Sequence, residues 1–426
     1  MTAAHSAMTG RGHKGGSGPS DKRYALVAGG GTAGHLQPAL AIAEALVLRG
    51  HARSSIEFVG SERGQDAAVL QGRGFPVTLL PGRGIVRSLA PRDVIANARS
   101  VGELCTAAFR AVRVVGRTRP QVVVAVGGYA SLAGAVGAIV HRVPLVLVNV
   151  DAVPGAANRL LGRFAAASAV GWEGNPLPRA VVTGTPIRPE IAAVQRGPDG
   201  RSKARAELGI PNDRSVVVVF GGSLGARQIN QAVDGLVELW SSREDVAIYH
   251  IVGRRDWARY CSDPSIGRLP PLPDAGQMAP TQGINVVRVA YEERMSAVYT
   301  AADVIVCRAG AMSVAELAAT GTPSVLVPLP GAPGDHQTAN ARVLERVGGA
   351  VLLADPDCTP TGLAAAVDGL LTDGERLELM GRAALALARR DAADAGASVV
   401  ERSALPPSTP STPSTGPSDH VNGRNA

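Results

Sequence analysis

Aromatic side chains are scarce, at 3% of the 426 residues. No platform of rings is available on which the bases of a nucleic acid would stack. Alanine, glycine and valine carry the apolar fraction instead, as suits closely packed layers of parallel strands and helices. Cysteine is almost as rare, with four residues, at 105, 261, 307 and 358. They form no C-x-x-C pair, so neither a zinc site nor a disulfide framework is expected, and a reducing cytoplasm follows. No uninterrupted apolar run approaches the roughly twenty residues of a membrane-spanning helix. The opening MTAAHSAMTGRGHKGGSGPSDK lacks the apolar core of a secretion signal. The protein is expected to touch a membrane without crossing it.

Acidic residues are sparse in one window. From Arg83 to Arg119 there are eight arginines against Asp93 and Glu103, a local balance of +6 within a formal net charge of +7. One reading is a solvated helix face. The other is attraction to an anionic membrane surface. Leu79, Leu80, Ile85, Val86 and Leu89 interleave with the first arginines, a mixture that suits phospholipid and not nucleic acid.

What the chain has in quantity is short apolar runs separated by glycine-rich turns and helical stretches. Strands are expected at 24–29, 55–60, 76–80, 121–127, 144–150 and 180–184. A second set is expected at 215–222, 246–253, 284–290, 302–310 and 323–330. Most are continuously apolar, as parallel strands covered on both faces are. The fold class is therefore α/β, with two Rossmann-like domains facing across a cleft. The expected division is a disordered tail at 1–22, a first domain at 23–186, a second at 187–375, a C-terminal helix at 376–403 packing back on the first domain, and a second disordered tail at 404–426.

Three glycine-rich turns follow apolar strands. In AGGGTAGH (28–35), Gly29, Gly31 and Gly34 fit G-x-G-x-x-G, and a helix start beyond them favours an anion. A dinucleotide site also needs an acidic residue about 20 positions on. That place reads His51-Ala52-Arg53-Ser54, with Glu57 inside the next strand and Glu62 beyond it, so a nicotinamide or flavin cofactor is disfavoured. His35 either caps the turn or serves as a general base, since a neutral imidazole accepts a hydroxyl proton near pH 7. GGYASLAG (127–134) either packs helix on strand or approaches a diphosphate. FGGSLGAR (220–227) places Ser223 to cap the next helix or to donate to a phosphate, and that helix shows Ile229, Val233, Leu236 and Trp240 on one face. Further on, Ser313 and Glu316 have S-x-x-E spacing. Two readings stand: a capping box, or a carboxylate reading a ribose's paired hydroxyls. Gln337 and Asn340, three apart in PLPGAPGDHQTANA, suit the reading of sugar hydroxyls or a polar surface turn.

In this order the motifs GGGTAGH, GGYASLAG, TGTPIRPE, FGGSLGA, CRAGAMSVAE and DHQTANA resemble the MurG family of GT-B glycosyltransferases, over roughly residues 23–400. That family transfers N-acetylglucosamine from UDP-GlcNAc, with inversion, to an undecaprenyl-diphosphate-linked muramoyl peptide, a step of peptidoglycan synthesis in cell-wall growth and division. The resemblance implies that Thr32, Ala33 and Gly34 border the acceptor diphosphate and donor sugar, with His35 as base. Arg188, Ser223 and Tyr291 would line the nucleotide. Ala311, Met312, Ser313, Val314, Ala315 and Glu316 would wrap it, with Glu316 on the ribose. Gln337 and Asn340 would face the sugar. The basic and apolar stretch near 79–92 occupies the place of the family's membrane-docking patch, which implies a peripheral position on the cytoplasmic face of the bacterial membrane. No cofactor and no metal are expected.

The chain departs from the family where it usually reads His-Glu-Gln-Asn. Here the residues are Val148, Asn149, Val150 and Asp151. Either Asp151 assists as a carboxylate, or the acceptor is a different lipid or small molecule. A non-catalytic UDP-sugar-binding subunit of the cell-wall machinery is the third reading.

Overall fold

A computed structural model describes residues 22–30, 33–62, 69–70, 72–81, 91–222, 225–262 and 283–406. The first sheet holds β1 (Ala25–Gly29), β2 (Ile56–Ser61), β3 (Val77–Leu80), β4 (Val122–Gly127), β5 (Leu145–Asn149), β6 (Ala167–Val170) and β7 (Ala180–Val182), in the order β3-β2-β1-β4-β5-β6-β7. The second holds β8 (Ser215–Phe220), β9 (Val246–Ile251), β10 (Asn285–Val289), β11 (Val304–Cys307), β12 (Ser324–Leu326) and β13 (Ala350–Leu352), in the order β10-β9-β8-β11-β12-β13. The pairings recorded among these strands are parallel, and neighbours keep register without a break except for one shift at Ala28–Gly29. Valine runs form the centre of each sheet, Val122–Val126 in the first and Val216–Val219 in the second, and all of them are buried. Branched side chains fit a pleated surface that is covered on both faces.

Helices cover those faces: α1 (Ala33–Leu48), α2 (Pro91–Thr118), α3 (Gly128–His141), α4 (Arg227–Leu239), α5 (Ala311–Thr320), α6 (His336–Glu345), α7 (Gly374–Ala386) and α8 (Ala392–Ser403), with further helices at Pro198–Leu208, Met295–Ala301 and Pro360–Leu371 and shorter turns between. The expected face of α4 is the one it buries, through Ile229, Val233, Leu236 and the adjoining Trp240. Strand order reverses between β1 and β4 in one sheet and between β8 and β11 in the other. Open parallel sheets bind ligands outside the carboxyl ends of the strands at such reversals.

Two strands were not expected. Ala167–Val170 is a run of small residues, and Ala350–Leu352 is three residues long. Neither offers a period to read. The stretch expected as one C-terminal helix contains two. Helix α7 packs against α5 on the second domain, while α8 returns to α1 and places Ala397, Val399 and Val400 in the first domain's core. Arg49, at the end of α1, reaches Asp394 at 2.8 Å and Glu401 at 2.7 Å on α8. Leu405 donates its N–H to the Gln121 carbonyl at 3.0 Å, so 404–405 are tied to the first domain. Residues 1–21, 407–426 and the Pro-rich 263–282 lie outside the described residues.

The chain passes between domains near 183–187 and again near 387–391. The two passages touch at Gly184, whose φ of +83° is left-handed and whose Cα faces the Arg389 side chain too closely for any Cβ. Arg390 fastens the second passage, donating to the carbonyls of Ala319 at 2.7 Å and Val194 at 3.2 Å. Among the described residues no helix is long and apolar enough to cross a membrane.

Candidate active site

The carboxyl ends of β1 and β4 bring the first two glycine-rich turns against one another. Ala33 opens α1, and Gly34 and His35 lie in its first turn. The His35 ring lies over Gly127, where an added Cβ would sit 2.5 Å from its Cδ2 and 2.9 Å from its Nε2. Gly127 and Gly128 have φ of +118° and +80°, and a Cβ on Gly128 would strike the Gly30 carbonyl. These two glycines are demanded by turn-against-turn contact and by backbone conformation together. Gly134 has a different reason: its Cβ would lie 2.5 Å from that of Ala28, which is helix-on-strand packing. Thr32 lies outside the described residues, as do Gly31, Ser223, Leu224 and 82–90.

The acidic residues a dinucleotide would use are otherwise engaged. Glu57 is buried and accepts from Arg23 Nε at 3.1 Å and the Thr78 hydroxyl at 2.8 Å. Glu62 pairs with Arg110 at 3.5 Å.

The loop after β5 carries the departure from the family pattern. Asn149 ends the strand, donates to the Asp151 carbonyl at 2.7 Å and accepts from Asn158 at 3.0 Å. The Asp151 carboxylate accepts from Asn340 Nδ2 at 2.9 Å, across the interdomain boundary. Asn340 is fully buried; its Oδ1 accepts the Ala152 N–H at 2.7 Å and its Nδ2 also donates to the Ala309 carbonyl at 3.2 Å. Asn340 thus joins the first domain to the turn after β11. Gln337, one turn earlier on α6, accepts the Leu329 N–H at 3.0 Å.

In the second domain the turn Arg308–Gly310 leads into α5. Gly310 is the N-cap and no side chain caps it, so Ser313 is a helical residue and, of the two readings of this spacing, the capping box is not formed. The first bond of this turn is Val314 N–H to the Gly310 carbonyl at 3.0 Å, leaving the amides of Ala311, Met312 and Ser313 without intrahelical acceptors. Val314 and Ala315 face the core, and Ala311 joins the first domain's apolar cluster. Glu316 is buried, with Tyr299 donating at 2.7 Å to one carboxylate oxygen and Arg188 at 3.4 Å to the other. Burial pushes the Glu316 carboxyl above its ordinary range, against the opposing pull of Arg188 and Tyr299. Tyr291, after β10, is half exposed, with the Arg254 guanidinium 4.2 Å from its ring centre. In the third turn Gly222 has φ of +90°, and the N-cap of α4 is Ala226, so the capping alternative for Ser223 is not the one taken.

Tyr299, Arg254 and Arg308 escaped the sequence reading. Tyr299 sits in an ordinary helical stretch, and only the fold carries it to Glu316. Arg308 directly follows β11 and braces the next strand's end through the carbonyls of Val327 at 3.2 Å and Pro328 at 3.1 Å. A D-x-D triplet, the usual carrier of a metal-bridged diphosphate, also escaped notice at Asp355-Pro356-Asp357. Asp355 there is paired with Arg308. No group of three or more metal-ligating side chains occurs among the described residues.

Residues 25–170 match the glycosyltransferase family 28 N-terminal domain, and residues 216–395 match the family 28 C-terminal domain. The chain is 37% identical over 382 residues to the UDP-N-acetylglucosamine–N-acetylmuramyl-(pentapeptide) pyrophosphoryl-undecaprenol N-acetylglucosamine transferase of Desulforudis audaxviator, covering 88% of this chain and 97% of that one. Proteins of the same name are similar in Nocardioides sp., at 40% identity over 88% of this chain and 96% of the relative, and in Acidothermus cellulolyticus, at 38% over 89% and 98%. Among solved structures, MurG of Acinetobacter baumannii has the same fold, with a TM-score of 0.67 at 24% identity, over 89% of this chain and 99% of that one. The kitacinnamycin glycotransferase follows the fold too, at a TM-score of 0.62 and 18% identity, over 91% and 100%.

Proposed function

Because the chain belongs to glycosyltransferase family 28, we infer that it transfers N-acetylglucosamine from UDP-GlcNAc to undecaprenyl-diphospho-N-acetylmuramoyl-pentapeptide, giving the lipid-linked disaccharide precursor of peptidoglycan. The observation that carries this reading is likeness along nearly the whole chain to transferases of that name. The facing turns at the two strand-order reversals supply it with a site.

The acceptor's 4-hydroxyl oxygen attacks the anomeric carbon of the donor sugar. The bond from that carbon to the UDP oxygen breaks on the opposite side, which inverts the configuration. UDP departs with the bonding electrons. His35 takes the hydroxyl proton, and Thr32, Ala33 and Gly34 border the reacting groups. Charge growing on UDP is met by the free amides of Ala311, Met312 and Ser313, by Arg188, and by Ser223 at the third turn. Glu316 reads the ribose, Tyr291 stands beside the base, and Gln337 meets the sugar. Closure of the domains excludes water and limits hydrolysis of the donor.

The enzyme works from the cytoplasmic face of the membrane, held there peripherally. The sequence of its 83–119 region sets arginines among apolar residues. Phe109, 62% exposed on α2 with Arg113 5.7 Å from its ring, extends that mixture beyond the described start of the helix.

The Val148–Asp151 departure favours one alternative, a different lipid or small-molecule acceptor. Radiolabelled UDP-GlcNAc with the undecaprenyl-diphospho-muramoyl pentapeptide decides between them. Transfer by the wild type, falling about 10²- to 10⁴-fold in His35→Ala, is the expected result. Full turnover by His35→Ala removes the base assignment. Binding of UDP-GlcNAc without transfer to any lipid-linked acceptor favours a non-catalytic subunit.

A further inference from the structure

One hydrogen-bonded thread crosses from the first domain to the second. It passes from Asn158 to Asn149 at 3.0 Å, from Asn149 to the Asp151 backbone at 2.7 Å, from the Asp151 carboxylate to Asn340 at 2.9 Å, and from Asn340 to the Ala309 carbonyl at 3.2 Å. The Ala152 N–H fixes which way the Asn340 amide faces, because it requires the oxygen at 2.7 Å. Both hydrogens of Nδ2 are then used, one on Asp151 in the first domain and one on Ala309 in the second. Asn340 is fully buried, so water does not replace either partner.

We propose that Asp151 is a positioning residue: its carboxylate, through Asn340, latches the loop after β5 to the turn after β11 and so sets the register between the two halves of the cleft. The role rests on the transferase reading for its consequence in turnover, and on geometry alone for the latch. A carboxylate suits the position because a charge-assisted bond is stronger than one between neutral amides. Only Gly310 separates Ala309 from Ala311, whose amide opens the nucleotide end of α5. Loosening the latch therefore displaces the donor site relative to the acceptor loop, and donor affinity suffers before chemistry does. This differs from a proton-accepting Asp151, which would act on the chemical step.

Steady-state kinetics of the full chain with UDP-GlcNAc and the lipid-linked muramoyl pentapeptide separate the two roles. Hydrogen exchange of segment 149–158, measured without substrates, reads the latch directly. Asp151→Ala is expected to raise the KM for UDP-GlcNAc about tenfold, the effect of one lost buried hydrogen bond. Its kcat should stay within about threefold, and exchange in 149–158 should rise. Asp151→Asn, whose amide oxygen still accepts from Asn340, should recover most of both. Should Asp151→Ala not fold, Asp151→Leu, of similar volume, makes the same comparison. A kcat lost about 100-fold or more in both Asp151→Asn and Asp151→Ala overturns the proposal in favour of a proton acceptor. Unchanged KM and unchanged exchange in Asp151→Ala overturn it as well. If the wild type transfers nothing to this acceptor, the functional reading fails while the exchange measurement still decides the latch.

Discussion

Glu316 is a carboxylate inside the protein with a tyrosine on one oxygen and an arginine on the other. Burial of such a group is costly unless its partners are well placed. Glu316→Gln removes the charge and keeps an oxygen for Tyr299. Its melting temperature should equal or exceed that of the wild type, while the KM for UDP-GlcNAc should rise about tenfold if the carboxylate reads the ribose. Calorimetry and initial rates check the two halves separately. His250 is the other buried titrating group of consequence. It is fully buried and bonded to Asn230 at 3.0 Å, and burial lowers its pKa to about 3. The unfolded chain binds a proton there between about pH 6.5 and pH 3 and the folded chain does not. Stability therefore falls as pH drops through that window. Urea midpoints from pH 7 to pH 4 should decline less steeply in His250→Leu than in the wild type. At this scale the sequence showed the spacing of Ser313 and Glu316 but not their fate. Glycine at 310 takes the N-cap and sends Ser313 into the helix, and Tyr299 reaches Glu316 only because its helix packs beside α5. Neither is a local property of the sequence.

The glycine turns show what can be read at the scale of an element. Position after an apolar strand and before a helix located all three, because parallel strands and helix starts have strong local signatures. What each glycine is for depends on what crosses it. Gly127 is kept by the His35 ring and by left-handed backbone, whereas Gly134 is kept by the Ala28 methyl. Gly127→Ala should cost about 1–3 kcal/mol of stability and displace the imidazole, lowering kcat at least about tenfold. Gly134→Ala should cost a similar about 1–3 kcal/mol through overpacking while the folded fraction keeps its kcat. Chemical denaturation followed by kinetics on the folded protein distinguishes these outcomes. The strands β6 and β13 went unread because alanine and serine, or three residues, carry no period. Their pairing partners, β5 and β12, are what make them strands.

Two parallel sheets with the same order of reversal could be anticipated at the scale of the whole molecule, because alternation of strand and helix leaves few other arrangements. The route of the C-terminus could not. Helix α8 buries Ala397, Val399 and Val400 under the first sheet, although more than two hundred residues separate it from that sheet's last strand. Its own amphipathic pattern says that it must cover something and not what. Val400→Asp places an unpaired charge in that core and should cost roughly 3–5 kcal/mol, seen as a loss of soluble, folded protein. By contrast, Arg49→Ala removes only partly exposed ion pairs and should leave the yield of soluble, folded protein close to that of the wild type.

The return of α8 also bears on how the protein is made. A ribosome emits β7 about 220 residues before α8 is complete, an interval of roughly ten to forty-five seconds at bacterial or eukaryotic elongation rates. Throughout it the nascent first domain lacks the helix that covers α1 and the β5–β6 side of its sheet. The second domain, whose strands and covering helices emerge in one continuous stretch, is complete before the first. Order of synthesis and order of completion are therefore reversed, and a chaperone that shields the uncovered apolar surface has its work set by the last helix to leave the ribosome.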